Sequence, residues 1–281
     1  MRILITGGCG FIGSHLSEQL IKEKHNITVI DNLANGRLKN IENINKNSRF
    51  KFIRADILNY SKIDNYFKNI DAVIHLAALA DIVPSIDNPE KYFRVNVEGT
   101  INILNLCRKH RIKKIIYAAS SSSYGIPKRY PTNENEIINP LYPYALTKYM
   151  GEELVLHWGK LYKFDAISLR FFNVYGPRSR TTGTYGAVFG IFLAQKIGNK
   201  PFTVVGNGKQ TRDFTYVTDI VSSISAALKS KIKNDYINIG SGKTYSINLL
   251  VKLLGGKKIY IPKRPGEPDC TWADIKKAKK L

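Results

Sequence analysis

The sequence contains little cysteine and no long apolar run. Its three cysteines (Cys9, Cys107 and Cys270) are odd in number and widely separated, which predicts neither a disulfide framework nor a metal cluster. The five histidines show no ligand-like spacing, so we expect no metal. No apolar stretch approaches the ~18 residues of a membrane span, and no signal-peptide pattern follows Met1. We therefore expect a cytoplasmic protein without a membrane partner.

Acidic residues are also scarce. Against 43 Lys+Arg there are only 22 Asp+Glu, which gives a formal net charge of +21. Such an excess is typical of proteins that bind nucleic acid, membrane surfaces or anionic substrates, and equally of a lysine-rich solvated surface. The basic residues are spread along the chain rather than grouped with aromatics, so we expect no nucleic-acid partner. A composition of 43% hydrophobic and 23% charged residues excludes wholesale disorder.

The first half of the chain alternates short apolar runs with helical patterns. The runs lie at 3–5, 27–30, 50–53, 72–74, 115–118 and 166–169, and the helical patterns at 11–22, 60–68, 90–109 and 142–162. Strands that are apolar throughout and separated by helices predict a parallel sheet covered on both faces. The predicted fold class is α/β, with a Rossmann-type doubly wound parallel sheet.

The pattern changes after Asn173. A loop-like stretch over 176–190 precedes predicted strands at 202–205 and 236–239, a helix at 218–229, and a final helix and strand within 246–261. We predict an NAD-binding domain over 1–173, to which 214–240 returns. Segments 174–213 and 241–281 are predicted to form a smaller mixed α/β lobe, with the ligand cleft between the two.

A glycine-rich turn follows the first strand and begins a helix. Gly7, Gly10 and Gly13 allow a tight turn, close backbone approach and close helix packing, so that the helix N-terminus faces a pyrophosphate. Asp31, which ends the second strand, is placed to accept hydrogen bonds from ribose hydroxyls, and its charge favours NAD over NADP. Asp56 is a candidate for the adenine edge, although it fits the N-cap of a helix before Tyr60 almost equally well.

A tyrosine and a lysine at helical spacing are the candidate reactive groups. Tyr144 and Lys148 stand at i and i+4. A partly buried ammonium beside a charged nicotinamide is expected to lower the tyrosine pKa from ~10 towards ~7, a change of about 4 kcal/mol. The run SSSSYG at 120–125 ends an apolar strand. Because ligands bind at the carboxyl ends of strands in a doubly wound sheet, we expect these hydroxyls to meet the tyrosine there.

Taken with further motifs, the sequence resembles the extended short-chain dehydrogenase/reductase family. Within that family it looks like the UDP-glucose 4-epimerase branch of the nucleotide-sugar epimerases and dehydratases. The likeness covers essentially the whole chain. Beyond the glycine turn and the tyrosine–lysine pair, it rests on DNL at 31–33, HLAA at 75–78, NVEGT at 96–100, LRFFNVYGP at 169–177, QTRDF at 210–214 and RPGE at 264–267.

The resemblance implies roles for individual residues. Tyr144 is the expected base, Lys148 is expected to hold the nicotinamide ribose, and Ser120 to bond the sugar 4-hydroxyl. The NAD site it implies comprises Gly7, Gly10, Phe11, Ile12, Gly13, Asp31, Asn32, Asp56, Ile57, Leu76, Ala77, Ala78, Asn96, Tyr144, Lys148 and Phe172. It also implies a homodimer, paired through the helices near 90–109 and 142–162.

The same resemblance implies a site for a UDP-sugar. Asn173 and Arg212 are expected at the diphosphate, and Arg264 with Glu267 at the nucleotide ribose and phosphate. Thr271 corresponds to the family position that walls the pocket near the sugar C2 substituent, where a small residue admits an N-acetyl group. The implied substrate residues are Ser120, Ser121, Ser122, Asn173, Ala187, Val188, Val204, Arg212, Arg264, Glu267 and Thr271.

The serine run distinguishes among the family's reactions. The 4,6-dehydratases carry Thr-Asp-Glu at this place and the UDP-glucuronate decarboxylases a Glu, whereas this chain has Ser120-Ser121-Ser122. We therefore expect 4-epimerisation of UDP-glucose and UDP-galactose, with tolerance of the N-acetylated sugars. The enzymatic alternatives are a 4,6-dehydratase, a decarboxylase, a 4-ketoreductase or a sugar dehydrogenase. The alternatives outside enzymes are a nucleotide sensor or a nucleic-acid-binding protein.

Overall fold

The structure is a computed structural model that describes residues 1–179, 188–263 and 267–281. Its strands, in chain order, are β1 (Arg2–Thr6), β2 (Asn26–Asp31), β3 (Phe50–Arg54), β4 (Ala72–His75), β5 (Lys114–Ser120), β6 (Asp165–Phe171), β7 (Val174–Tyr175), β8 (Phe202–Val205), β9 (Thr211–Arg212), β10 (Thr215–Tyr216), β11 (Asp235–Ile239), β12 (Tyr245–Ser246) and β13 (Lys258–Ile261).

The helices connect these strands. They are α1 (Phe11–Lys22), α2 (Tyr60–Ile63), α3 (Ile82–Asp87), α4 (Pro89–Phe93), α5 (Gly99–Lys109), α6 (Pro143–Tyr162), α7 (Val188–Ile197), α8 (Val217–Lys229), α9 (Ile247–Leu254) and α10 (Lys276–Lys280). Short 3₁₀ turns cover Leu38–Ile41, Asp64–Phe67 and Ser121–Tyr124, and a π-helical turn covers Arg94–Glu98 between α4 and α5.

Seven parallel strands form the central sheet, in the order β3-β2-β1-β4-β5-β6-β11. The order of strands reverses between β1 and β4, and in doubly wound sheets ligands bind beyond the carboxyl ends of the strands at this point. The predicted Rossmann-type α/β sheet is confirmed. Its edge strand β11 comes from late in the chain, while the boundaries of the two predicted units remain a prediction.

Helices cover both faces of the sheet, which explains why its strands are apolar throughout. In β1, Ile3 and Ile5 belong to a buried cluster that includes side chains of α1 and α8. Leu4, which points to the opposite face, belongs to a second cluster with side chains of α5 and α6. Because β1, β4 and β5 run parallel, the glycine turn, the end of β4 and the serine run lie along the same edge of the sheet.

The smaller lobe has a core of its own. Parallel strands β8 and β13 pack with α7 and α9 around buried Phe192, Phe202 and Val204. Two further two-stranded pairs join β7 with β10 and β9 with β12. Across the described ranges, no helix combines the length and apolar character needed to cross a bilayer.

Several predicted boundaries change. The helix predicted at 90–109 is one helical run from Pro89 to Lys109, but it is interrupted by the π-helical turn. The segment predicted as a helix over 60–68 is an α turn followed by a 3₁₀ turn. The predicted loop over 176–190 is wrong at its end because α7 begins at Val188; residues 180–187 lie outside the described residues.

Candidate active site

The glycine turn forms a cradle that backbone atoms line. A Cβ on Gly7, whose φ is +73°, would lie 2.8 Å from the Ala77 nitrogen, and one on Gly13 would lie 2.3 Å from the Gly7 carbonyl oxygen. The helix that follows begins at Phe11 after Gly10, which has no side chain to cap it. The N–H groups at this helix start are therefore available to an anion, as a dinucleotide pyrophosphate requires.

Asp31 joins the glycine turn to the end of β2. Its buried carboxylate accepts hydrogen bonds from the backbone N–H of Cys9 (2.9 Å) and of Leu33 (2.8 Å). Burial raises the pKa of Asp31, and these two hydrogen bonds lower it by less. The carboxylate stands where the sequence predicts a ribose acceptor, and it also fixes the loop that would surround the ribose.

Asp56 is not the helix cap that the sequence allows as an alternative. It accepts a hydrogen bond from the Asn32 side chain at 2.7 Å and one from the Leu58 N–H at 2.9 Å. The cap of α2 is instead Asn59, whose side chain accepts from the Lys62 N–H at 3.1 Å. Asn32 and Asp56 thus form a polar pair beside the glycine cradle, consistent with the predicted adenine edge.

Asn96 holds two parts of the site together. Its Oδ1 accepts from the Leu79 N–H (2.8 Å), and its Nδ2 donates to the Leu79 carbonyl (3.0 Å) and to Thr147 Oγ1 (3.0 Å). Both amide protons are used in these bonds, and the residue is 1% exposed. Its amide thus holds parts of the protein itself, and the predicted cofactor contact stays a prediction. Asn96 positions the segment after β4 against α6, from within the π-helical turn, a feature frequent at functional sites.

Tyr144 meets the serine run at the carboxyl end of β5. The hydroxyls of Ser120 and Ser122 act on its phenol and lower the pKa of Tyr144, and their own oxygens lie 2.7 Å apart. Ser120 ends β5, and the other serines form the 3₁₀ turn that follows. The predicted meeting of tyrosine and serines therefore occurs, and no carboxyl side chain is present at 120–122.

The predicted effect of Lys148 on the tyrosine, beside a charged nicotinamide, stays a prediction. Burial raises the pKa of Tyr144, and the two serine hydroxyls lower it by less. The ammonium of Lys148 lies 4.2 Å from the ring centroid of Tyr117, in a cation–π contact. Burial lowers the pKa of Lys148 to about 7, and the carboxylate of Glu152 opposes that shift.

A buried ion pair fixes the helix that carries both groups. Glu152, one turn beyond Lys148, contacts Arg170 of β6 at 2.5 Å and accepts from Ser168 at 2.7 Å. Arg170 also donates to the Tyr124 hydroxyl at 2.7 Å. Both charges of the pair are almost fully buried and hydrogen-bonded, so α6 is held rigidly against the sheet.

Tyr142 belongs to the site, and sequence reasoning did not select it. Its ring lies nearly parallel to that of Tyr144, with 7° between planes and 6.5 Å between centroids. Burial raises the pKa of Tyr142. The available signal was the Tyr142-Pro143-Tyr144 triplet, because proline at a helix start fixes the direction of its neighbours.

The predicted nucleotide side contains a partly buried ion pair. Arg212 donates to Glu267 Oε1 at 2.8 Å and to the Thr211 carbonyl at 2.9 Å. A cavity of about 390 Å³ lies here, lined by both residues and by Lys209 and Lys263. The second carboxylate oxygen of Glu267 is buried and has no hydrogen-bond partner among the described residues. Arg264, also predicted here, lies outside the described residues.

Asn173 and Thr271 are brought together, but not as predicted. Asn173 Nδ2 donates to Thr271 Oγ1 at 2.7 Å and to the Asp213 carbonyl at 3.4 Å. A diphosphate requires donors, and both amide protons of Asn173 are engaged in these bonds. The predicted diphosphate contact of Asn173 is therefore not supported by this arrangement, in which the side chain instead fixes the position of Thr271.

The remaining predicted contacts fall mainly on core side chains. Val204 has no exposed surface, and Ile57 and Phe172 are 5% and 2% exposed, so their side chains pack in apolar clusters. Only their backbone groups could contact a ligand, and these contacts stay predictions. Val188 begins α7 and packs against the core of the small lobe. Ala187 lies outside the described residues. No group of three potential metal ligands occurs within the described part of the chain.

Comparison with known proteins is consistent with this geometry. The NAD dependent epimerase/dehydratase family matches residues 3–240. A relative from Methanocaldococcus jannaschii, described as a putative UDP-glucose 4-epimerase, is 40% identical over 287 residues, covering 99% of this chain and 92% of the relative.

Solved structures of similar sequence share the whole fold. A UDP-N-acetylglucosamine 4-epimerase from Methanobrevibacter ruminantium M1, in complex with UDP-N-acetylmuramic acid, has a TM-score of 0.94 at 33% identity, covering 99% of this chain and 91% of that one. A UDP-glucuronic acid 4-epimerase from Bacillus cereus, with UDP-glucuronic acid and NAD, has a TM-score of 0.93 at 37% identity, covering 100% and 92%. This chain belongs to the NAD dependent epimerase/dehydratase family and is an NAD-dependent enzyme of that family.

Proposed function

We propose that the protein inverts the configuration at C4 of a UDP-hexose, with UDP-glucose and UDP-galactose as its principal pair. The observation that carries the proposal is the convergence of Tyr144, Ser120 and Ser122 at one edge of the sheet. This cluster has donors and a phenol for proton transfer at an alcohol. No carboxyl group stands at 120–122 to remove a further proton for elimination or to assist decarboxylation.

The residues of the cradle fit a bound NAD. Gly7 and Gly13 pack too closely against neighbouring backbone to carry a Cβ, which keeps the turn tight at the helix start where a pyrophosphate would bind, and Asp31 supplies the ribose acceptor. When bound, NAD⁺ supplies the hydride acceptor, and later the hydride donor, for the sugar C4. The negative charge of Asp31 supports NAD over NADP because it would repel a 2′-phosphate.

The chain's own residues would move the proton and hold the sugar. Tyr144 takes the proton of the 4-hydroxyl, while Ser120 donates a hydrogen bond to the same oxygen. The hydroxyls of Ser120 and Ser122 stabilise the phenolate that must be present before this transfer, as their lowering of the Tyr144 pKa indicates. The transfer leaves Tyr144 as a neutral phenol. Because the serine run offers no other proton carrier, the 4-keto sugar is not converted further, and it rotates in the cleft so that its opposite face meets the hydride donor. Tyr144 then returns the proton after the opposite face is reduced.

The cavity beside Arg212 supports a nucleotide diphosphate as the other half of the substrate. Arg212, Lys209 and Lys263 place three cationic side chains around it, and Arg212 presents a planar fork suited to phosphate oxygens. The unpartnered carboxylate oxygen of Glu267 is an acceptor suited to ribose hydroxyls. These groups distinguish a nucleotide sugar from a free hexose.

The test is NMR of UDP-glucose, UDP-N-acetylglucosamine and UDP-glucuronate, each incubated with the NAD-loaded protein. The proposal expects formation of UDP-galactose from UDP-glucose, to an equilibrium mixture. A 4-keto-6-deoxy sugar or a pentose product would instead identify a dehydratase or a decarboxylase. If UDP-glucuronate were the only sugar converted, the proposed reaction would stand, but the proposed substrate sugar would be wrong.

Thr271 provides a separate test of sugar size. We propose that a small residue here leaves room for an N-acetyl group at C2, so that UDP-N-acetylglucosamine is also a substrate. Thr271→Tyr should lower kcat/KM for that sugar at least tenfold more than for UDP-glucose, roughly the discrimination that a size clash provides. Thr271→Ser keeps the hydroxyl that Asn173 binds and serves as the control. Equal losses for both sugars in Thr271→Tyr would contradict the proposal.

The predicted homodimer and cytoplasmic location remain proposals. Leu146 and Leu161 on α6 are 39% and 56% exposed, which supports a partner surface on this helix. Light scattering of the purified protein would measure its assembly, and charged substitutions at both leucines should dissociate a dimer formed there.

A further inference from the structure

A buried arginine contacts both of the segments that carry the reacting groups. Arg170, in β6, donates from Nε to the two carboxylate oxygens of Glu152 at 3.0 and 3.1 Å, and from Nη1 to the Tyr124 hydroxyl at 2.7 Å. Glu152 belongs to α6 and lies roughly two turns beyond Tyr144. Tyr124 ends the 3₁₀ turn of the serine run. One guanidinium therefore joins the helix of the reacting phenol to the serine run that faces it.

The guanidinium of Arg170 is fixed in its orientation. The residue is 2% exposed, and the guanidinium carbon lies 4.9 Å from the ring centroid of Tyr124 and 4.2 Å from that of Tyr236, in two cation–π contacts. A planar fork that is bound to a carboxylate and packed against two rings presents its remaining N–H groups in set directions. Arg170 is thus a rigid connection between Glu152 and the Tyr124 hydroxyl.

The hydroxyl of Tyr124 is bound on its far side as well. An arginine N–H can only donate, so the phenol accepts from Arg170 and gives its own proton to Asn238 Oδ1 at 2.7 Å. Asn238 stands opposite Arg170 in the register of β11 and β6, and its Nδ2 donates to the Thr132 carbonyl at 3.0 Å. Tyr124 is 1% exposed and Asn238 is fully buried. The sheet therefore holds the end of the Tyr124 side chain through two strands.

Hydrogen bonds within the serine run set its shape but not its distance from α6. The Ser122 N–H donates to Ser120 Oγ at 3.2 Å, and Ser123 Oγ donates to the Ser120 carbonyl at 2.8 Å. A bond from the Asn139 N–H to the Ser123 carbonyl, at 3.0 Å, joins the run to the loop that follows it. The hydroxyl of Tyr124, at the end of a rigid ring, ties the run to the sheet and, through the buried guanidinium, to α6.

We propose that Tyr124 is a positioning residue of the active site: through Arg170 it holds the serine run at a fixed distance from α6, so that the serine hydroxyls face Tyr144. The inference rests on the proposed function and deepens it. Without the Tyr124 hydroxyl the run keeps its internal bonds, and Arg170 keeps its bonds to Glu152, but the two are no longer joined. Proton transfer at Tyr144 should then slow, whereas the parts of the cleft that bind NAD and the nucleotide are unchanged.

The test compares Tyr124→Phe with two controls in the NAD-loaded protein. Tyr236→Phe removes a hydroxyl beside the same guanidinium and keeps the ring that packs on it. Ser225→Ala removes a buried hydroxyl that donates to the Glu23 carboxylate, far from the serine run in the fold, and so measures the general cost of such a loss. We measure kcat and KM with the UDP-sugar that the wild type converts, NAD affinity, melting temperature, and hydrogen–deuterium exchange of peptides that cover 120–125.

Tyr124→Phe should lower kcat roughly tenfold, the effect of one lost hydrogen bond to a charged group, while KM and NAD affinity change less than about twofold. Exchange at 120–125 should become about fivefold faster, because exchange reports local opening. Both controls should match the wild type in kcat and in exchange at 120–125. Asn238→Leu removes the acceptor of the same hydroxyl but leaves the bond from Arg170. It should change kcat and exchange in the same direction by less, and it decides the question if Tyr124→Phe does not fold.

The outcomes separate this inference from the proposed function. An active wild type together with a Tyr124→Phe variant that matches Ser225→Ala in kcat and exchange would overturn the role of Tyr124 alone. Equal losses in kcat, KM and NAD affinity would show a general loosening of the cleft and would also overturn it. A wild type that inverts none of the tested UDP-sugars would overturn the proposed function. Exchange needs no turnover, so unchanged exchange at 120–125 would still overturn the positioning role in that case.

Discussion

The two sides of the cleft are built by different means. On the cofactor side, backbone atoms determine the shape: Gly7 and Gly13 leave no room for a Cβ, and Asp31 is tied to backbone N–H groups. On the nucleotide side, side chains determine it, and Arg212 and Glu267 hold each other across 55 positions of sequence. A substitution that adds atoms should therefore damage the cofactor side most, whereas a substitution that removes a charge should damage the nucleotide side most.

The comparison also locates the chemistry between the two sides. Tyr144, Ser120 and Tyr142 lie where the carboxyl end of β5 meets the start of α6. Removing the reacting phenol should therefore leave both binding sides intact.

The largest expected effect follows from that placement. Tyr144→Phe should lower kcat by roughly 10²- to 10⁴-fold because it removes the proton acceptor. Affinities for NAD and for the UDP-sugar, measured by calorimetry, should change less than threefold. A variant that retains a tenth of wild-type kcat would place the base elsewhere.

The second effect concerns the cofactor side, whose shape backbone atoms determine. Gly13→Ala puts a methyl group 2.3 Å from the Gly7 carbonyl oxygen, and overpacking of this kind should destabilise the protein by about 3 kcal/mol and lower the melting temperature by roughly 10 °C. NAD affinity should fall with it. Gly198→Ala is the control in the small lobe, where the nearest atom would be 3.3 Å away. If both variants lost similar stability and NAD affinity, the cofactor side would not be more sensitive to added atoms than the small lobe.

The third prediction concerns pH and the buried ammonium on α6. Burial lowers the pKa of Lys148 from its usual value near 10.5 to about 7. Between these values the unfolded chain binds more protons than the folded one, so the free energy of unfolding should rise with pH in this window. Relative to Lys148→Met, the wild type should gain about 2 kcal/mol between pH 7 and 9, by urea denaturation. Parallel pH profiles for the two proteins would contradict the shift.

The smallest expected effect concerns the nucleotide side, whose shape side chains determine. Arg212→Gln should raise KM for the UDP-sugar about tenfold, since it removes one charge-assisted contact, while NAD affinity stays unchanged. Lys209→Gln removes a charge from the exposed rim of the same cavity and should raise KM less than threefold. If NAD affinity fell equally in Arg212→Gln, the two sides would not be independent.

Sequence reasoning succeeded where a local pattern sets the geometry. The glycine spacing, the apolar strands and the i, i+4 pair each describe a single turn, strand or helix, and the structure contains them. It missed the partners of side chains that bond to distant residues. Asn96 is engaged by Leu79 and Thr147, and Asn173 by Thr271, 98 positions away. It also missed the burial that raises the pKa of Tyr144, because burial depends on how the whole chain packs.

The sequence by itself determined the doubly wound sheet, the glycine cradle and the placement of Tyr144 and Lys148 on one helix. These features depend on backbone conformation and on periodicity, which are local properties. Only the tertiary structure decided that Lys148 lies over Tyr117, that Arg212 pairs with Glu267, and that Tyr124 meets Arg170. Each of these contacts joins residues from different elements, and the distance between elements is fixed by the packed fold.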